Sequence, residues 1–177
     1  MQLIFITCRR LDLFERTIKS LSKFNDINLI DEVCIVDDAS SGKDLVEMSR
    51  LVTESLPDRN CEIFSSDKKR GWTEQMEVWR SLLKGEYSFH CEDDWEFINA
   101  DKPLTDALDI LNFDQTIAQV VFSIKYDLQL QTNNNTKYQI KQLGDISSWN
   151  GSLKLSPYTA NPSVVRVSAF ANNSFKE

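Results

Sequence analysis

An α/β fold with a mostly parallel sheet and helices on both faces is what this sequence predicts, on three observations. Short apolar runs alternate with stretches whose apolar residues recur at helical spacing, in the order β-α-β-α-β-α-β over the first half of the chain. That alternation demands parallel pairing through right-handed crossovers. Asp37-Asp38, Lys69-Arg70 and Asp93-Asp94 all fall just past strand ends or at a helix start, so the fold would gather them at one rim.

Each element has its own warrant. Residues 2–7 (QLIFIT) form a near-continuous apolar run, the pattern of a buried strand. Arg9 and Arg10 follow, and a helix is expected to begin at Asp12, a good N-cap type with Glu15 three residues on. Leu13, Phe14, Thr17, Ile18, Leu21 and Phe24 mark its repeat. The second strand, 32–36, runs into Asp37-Asp38-Ala39-Ser40. A helix over 43–56 turns Leu45, Met48 and Val52 inward and stops at Pro57. A short strand at 61–65 leads through the basic run 66–71 to a helix over 73–84. There Trp72, Met76, Trp79 and Leu83 are spaced for core packing, and Gly85 ends the element. The fourth strand, 86–91, leads directly into Glu92-Asp93-Asp94-Trp95.

The second half is less regular. A helix over 101–112 has Pro103 near its start, and a strand is expected over 117–126. A polar loop at 131–137, expected to be mobile, precedes a strand at 138–143. An irregular stretch, 144–156, contains Trp149, Asn150 and Gly151, and Asn161-Pro162-Ser163 makes a turn into an apolar segment. Neither a repeat nor a domain boundary interrupts the chain, so one domain over 1–177 is expected.

Composition narrows the function. The chain of 177 residues is 41% hydrophobic and 27% charged, ordinary for a globular protein able to bury a core. A net charge of −7 argues against nucleic acid or an anionic membrane as the main partner, yet leaves room for a nucleotide held by local cations. No run approaches the roughly 20 apolar residues of a membrane span, and no signal peptide is evident. Cys8, Cys34, Cys61 and Cys91 fall singly, which suits a reducing, cytoplasmic setting. The sole histidine, His90, lies inside a strand, where burial is its ordinary state. Three carboxylates at a strand end repel one another unless water, a ligand or a cation stabilises them. Mg²⁺ or Mn²⁺, shared between a carboxylate and the phosphates of a nucleotide, suits that arrangement.

Taken together, these residues resemble the GT-A glycosyltransferases that use nucleotide-sugar donors, family 2-like, with an E-D-D version of the DxD motif. The matching pieces are the Thr7-Cys8-Arg9 exit, Val36-Asp37-Asp38-Ala39-Ser40, Arg70-Gly71, Glu92-Asp93-Asp94-Trp95 and the turn Asn161-Pro162-Ser163, over about residues 2–166. The resemblance implies a Rossmann-like GT-A fold, with a nucleotide-binding half at about 1–95 and an acceptor half at about 96–177. It implies that Thr7 and Arg9 line the base and ribose pocket, and that Asp38 accepts the N3–H of uracil while Asp37 orients the turn. Arg70, with Lys69, would lie beside base or diphosphate. Asp94 would be the metal ligand, Asp93 would lie near the ribose hydroxyls, and Glu92 has no set role.

The activity so implied is metal-dependent transfer of a hexosyl or N-acetylhexosaminyl group from a UDP-sugar to an acceptor hydroxyl, with Mn²⁺ or Mg²⁺ as cofactor. An acceptor hydroxyl must lose its proton to a base. Inverting relatives carry that base in the acceptor half, where this chain offers Asp145 and Asp127 as weak candidates. The chain is therefore expected to be truncated or minimal, or to take its base from an unrecognised place. Two alternatives stay open: an inactive nucleotide-sugar binder, and a sugar-phosphate nucleotidyltransferase. The latter usually has a glycine-rich loop after its first strand, and Thr7-Cys8-Arg9-Arg10-Leu11 contains no glycine.

Overall fold

The computed structural model describes residues 1–97, 101–122, 138–140 and 162–170. The elements are β1 (Gln2–Thr7), α1 (Leu11–Leu21), a 3₁₀ turn (Ile27–Leu29), β2 (Glu32–Asp37), α2 (Gly42–Ser55), β3 (Asn60–Phe64), α3 (Trp72–Leu82) and β4 (Tyr87–Glu92). They are followed by α4 (Pro103–Phe113), β5 (Gln119–Phe122), β6 (Tyr138–Ile140), β7 (Ser163–Arg166) and α5 (Val167–Phe170). The strands form one sheet in the order β3-β2-β1-β4-β7-β5-β6.

The first four strands are parallel, as the alternating pattern requires, with Thr7 level with Asp37 and Ile6 level with Glu92. Their carboxyl ends therefore share one edge. Strand alternation divides the core in two. Leu3, Phe5, Val33, Ile35, Phe89 and Cys91 face α1, α2 and α4, through residues such as Phe14, Ile18, Met48, Val52 and Leu104. Ile4, Ile6, Cys34 and Val36 face the opposite way, against Met76 and Trp79 of α3 and Phe170 of α5. Both faces are covered, which is why the strands read as continuous apolar runs.

Three expectations need correction. Helix α1 begins at Leu11 with Arg10 at the N-cap position and no side-chain cap, so Asp12 sits inside the first turn and Glu15 pairs with Lys19 instead. The side chain of Arg10 is committed elsewhere, to the acids beyond β4. Trp72, expected in the core with Met76 and Trp79, is 44% exposed at the residue where α3 opens. Finally, the segment after Pro162 is a strand. β7 inserts antiparallel between β4 and β5, with Phe89 opposite Val164 and Val120 opposite Val164, and makes the sheet mixed.

Arg166 at the end of β7 locks that junction. Its guanidinium donates to the Ile117 carbonyl (3.4 Å), the Tyr87 hydroxyl (3.2 Å) and the Leu111 carbonyl, and lies over the Tyr87 ring. Asp127, Asp145, Trp149, Asn150, Gly151, Asn161 and the loop 131–137 lie outside the described residues. Among the described residues, no helix is long and apolar enough to cross a membrane.

Candidate nucleotide and metal site

Thr7, the last residue of β1, is the hub of the rim. Its buried hydroxyl donates to Asp93 Oδ2 (2.7 Å), and its carbonyl accepts from the Asp38 amide (2.9 Å) and from Gln75 Nε2 of α3 (3.0 Å). One side chain and one peptide oxygen thereby join β1, β2, α3 and the loop after β4. The Cys8 amide adds a bond to Asp93 Oδ2 (3.3 Å). Asp38 and Asp93, 55 positions apart in sequence, thus stand either side of one residue.

The two acids after β2 divide their work. Asp37, wholly buried, accepts from the Ser40 amide (2.8 Å), the Ser40 hydroxyl (2.5 Å) and the Ser65 hydroxyl (2.8 Å), and so shapes the turn. Asp38 is 1% exposed, and its two oxygens accept the Arg70 amide (2.5 Å) and the Gly71 amide (3.0 Å). It clasps the entry to α3. Gly71 adopts φ +83, a left-handed conformation that a residue with a Cβ takes only at a cost. The Arg70 guanidinium turns back to the Asp37 carbonyl (2.9 Å) and the Phe64 carbonyl (3.3 Å). Lys69 is exposed. Arg9, also at a positive φ (+55), donates through Nε to the Ala39 carbonyl (2.8 Å) and through its amide to Ser40 Oγ (3.0 Å).

The acid loop hangs from α1. The Thr17 hydroxyl lies 2.7 Å from both the Asp93 and Trp95 carbonyls and accepts the Trp95 amide (3.0 Å), while Ser20 Oγ accepts the Phe97 amide (3.0 Å). Both residues sit on the inward face of α1, Thr17 within the expected helical repeat and Ser20 outside it. Trp95 is half-buried against this anchor.

Arg10 is the residue that sequence reasoning passed over. Its guanidinium pairs with Asp93 through both Nη2 and Nε (3.2 Å for Nε) and reaches Asp94 Oδ2 at 3.0 Å. A second arginine directly after the strand exit was the available signal. His90 of β4 is buried edge-on to Trp79 and packs in the core.

Charge at the rim is held under tension. Burial raises the Asp93 carboxyl above its ordinary range, with Thr7, Arg10 and the Cys8 amide opposing and Asp94 adding to the rise. Glu92 is pushed to about 7, chiefly by burial and then by Asp94 and Asp93. Arg10 opposes that shift, as does the Trp95 indole N–H, which lies near Glu92 without closing a well-aligned hydrogen bond.

A carboxyl with a folded-state pKa above its unfolded value binds its proton more tightly in the native state. The Glu92 contribution therefore lowers stability as pH rises from about 4.5 to about 7, and is constant above that window. Glu92→Gln is expected to flatten this part of the profile and to raise the urea midpoint at pH 8. A profile parallel to wild type would disprove it.

The donor set is all oxygen, which suits a hard cation rather than zinc or copper. Asp94 is 40% exposed at its side chain and faces the open rim, whereas Asp93 is closed in. Among the described residues, no group of three or more His, Cys, Asp or Glu could hold a metal ion by itself. A cation here would thus complete its shell with oxygens from elsewhere, water or a ligand, and a diphosphate can supply them.

No protein-family model matches the sequence, and no curated protein does. Solved structures do resemble it. The mannosyltransferase PcManGT from Pyrobaculum calidifontis, in complex with GDP-Man and Mn²⁺, aligns with a TM-score of 0.56 at 21% identity, over 67% of this chain and 33% of its own. GalNAc-T7 with UDP, GalNAc and Mn²⁺ aligns at 0.53 and 16% identity, over 67% of this chain and 22% of its own. S. aureus TarS aligns at 0.51 and 18%, over 63% and 19%. The chain spans about a third or less of the length of each of these proteins. With its parallel β3-β2-β1-β4 sheet and antiparallel extension, this chain has the GT-A fold of these three glycosyltransferases.

Proposed function

We propose that this chain binds a nucleotide-sugar, uridine-based, with Mn²⁺ or Mg²⁺ at its acidic rim, and serves glycosyl transfer to an acceptor hydroxyl. The observation that carries this reading is the convergence of Thr7, Asp38, Asp93 and Asp94 on one edge of a GT-A sheet. Residues of about 1–95 form the donor half, and about 96–177 belong to the acceptor half.

In this reading Asp94, the exposed acid, holds the cation, and Asp93, buried and fixed by Thr7, would reach the ribose hydroxyls only once Arg10 moves off it. When bound, the cation supplies Lewis-acid stabilisation of the departing nucleoside diphosphate. Asp38 holds the 70–71 turn at the wall of the base pocket. The lone pairs its oxygens keep beyond the two amides would accept the uracil N3–H, a donor that neutral cytosine lacks. Arg9 lies at the mouth of the same pocket. Arg70 acts on the base through the position of its backbone. The base that takes the acceptor proton is assigned to the acceptor half, where Asp127 and Asp145 are the candidates.

Calorimetric titration of the chain with UDP in the presence of Mn²⁺ tests the reading. Saturable binding that is lost on chelation is expected, with GDP binding more weakly. Absence of saturable binding of either nucleotide would overturn it. Binding of a UDP-sugar without transfer or hydrolysis would select the inactive-binder alternative.

A further inference from the structure

We propose that Arg10 and a divalent cation compete for the Asp93–Asp94 pair, so that the chain accepts the cation only together with a nucleoside diphosphate. The inference rests on the nucleotide reading above and adds a residue to it. The Arg10 guanidinium bridges both acids, engaging Asp93 through two nitrogens and Asp94 through a third. It therefore fills the space in which a cation would meet Asp94.

Asp93 cannot move aside. Its carboxylate is fully buried and tied to Thr7 and the Cys8 amide. Arg10 can: its side chain is 42% exposed and its stem is flexible. A monovalent and a divalent cation a few ångströms apart repel strongly, so one displaces the other unless new negative charge arrives. A diphosphate brings that charge and offers the guanidinium a bidentate oxygen partner. Cation and nucleotide affinities then rise together, by the same factor, because coupling between two sites is reciprocal.

The test is Mn²⁺ binding itself, read by electron paramagnetic resonance of the free ion, on the full chain with and without UDP. Wild type is expected to bind Mn²⁺ weakly alone and about a hundredfold more tightly with UDP, the same factor by which the cation tightens UDP. Arg10→Gln should bind Mn²⁺ alone about tenfold more tightly than wild type and show a UDP effect reduced to about tenfold, the remainder being the diphosphate's own ligation of the ion. Adding Asp94→Asn to that variant should remove the gain. Arg10→Lys, which keeps the charge and loses the fork, should fall between, and serves as the test if Arg10→Gln does not fold by circular dichroism. An Mn²⁺ affinity unmoved by either Arg10 substitution, or a gain that survives the loss of Asp94, would overturn the proposal. If wild type binds no UDP at all, the nucleotide reading fails, while the Mn²⁺-only comparison still decides the competition.

Discussion

Asp94→Ala should abolish Mn²⁺-dependent UDP binding while leaving the fold intact. The side chain is 40% exposed, and its hydrogen bond to Arg10 Nη1 at 3.0 Å is a surface contact. Such pairs contribute about 0–1 kcal/mol, so the urea midpoint should barely move. The loss in binding is of another order. A cation shared between one carboxylate and a diphosphate contributes several kcal/mol, and its loss should weaken UDP by about a hundredfold or more. Calorimetry with Mn²⁺ present and absent measures both arms. Equal affinity in the variant and wild type would remove Asp94 from the site.

Asp38→Ala should do the opposite, costing stability first. Both carboxylate oxygens accept backbone amides in a site that is 1% exposed. Hydrogen bonds to a charged acceptor contribute about 1.5–3 kcal/mol each, and together they should cost about 3 kcal/mol after partial relaxation. The loss would unpin Arg70 and Gly71 and loosen the first turn of α3. Chemical denaturation reads the loss directly. A variant as stable as wild type but blind to UDP would show that Asp38 is a ligand contact and little else.

What the sequence makes legible is the part written in local patterns. Apolar runs at 2–7 and 32–36 give β1 and β2 to within a residue, and strand-end acids point to the rim. Helical spacing correctly buries Phe14, Ile18, Met48, Met76 and Trp79. Relations across long separations are not legible in this way. The Arg10–Asp93 pair joins residues 83 positions apart, and no periodicity reports it. Similarly, the pairing of β7 with β4 is fixed by which sheet edge is open, and β7 is only four residues long. Trp72 misled because spacing says which residues share a helix face, not where along the axis the neighbouring layer stops.

The place of β7 bears on how this protein is made. The parallel half, β3-β2-β1-β4, is encoded within the first 92 residues, yet the inner neighbour of β4 is synthesised some seventy residues later. Without β7, that edge of β4 would present an open row of amides and carbonyls. Such a row is a template for strand addition from another chain. Pairing of residues 163–166 with β4 closes that row.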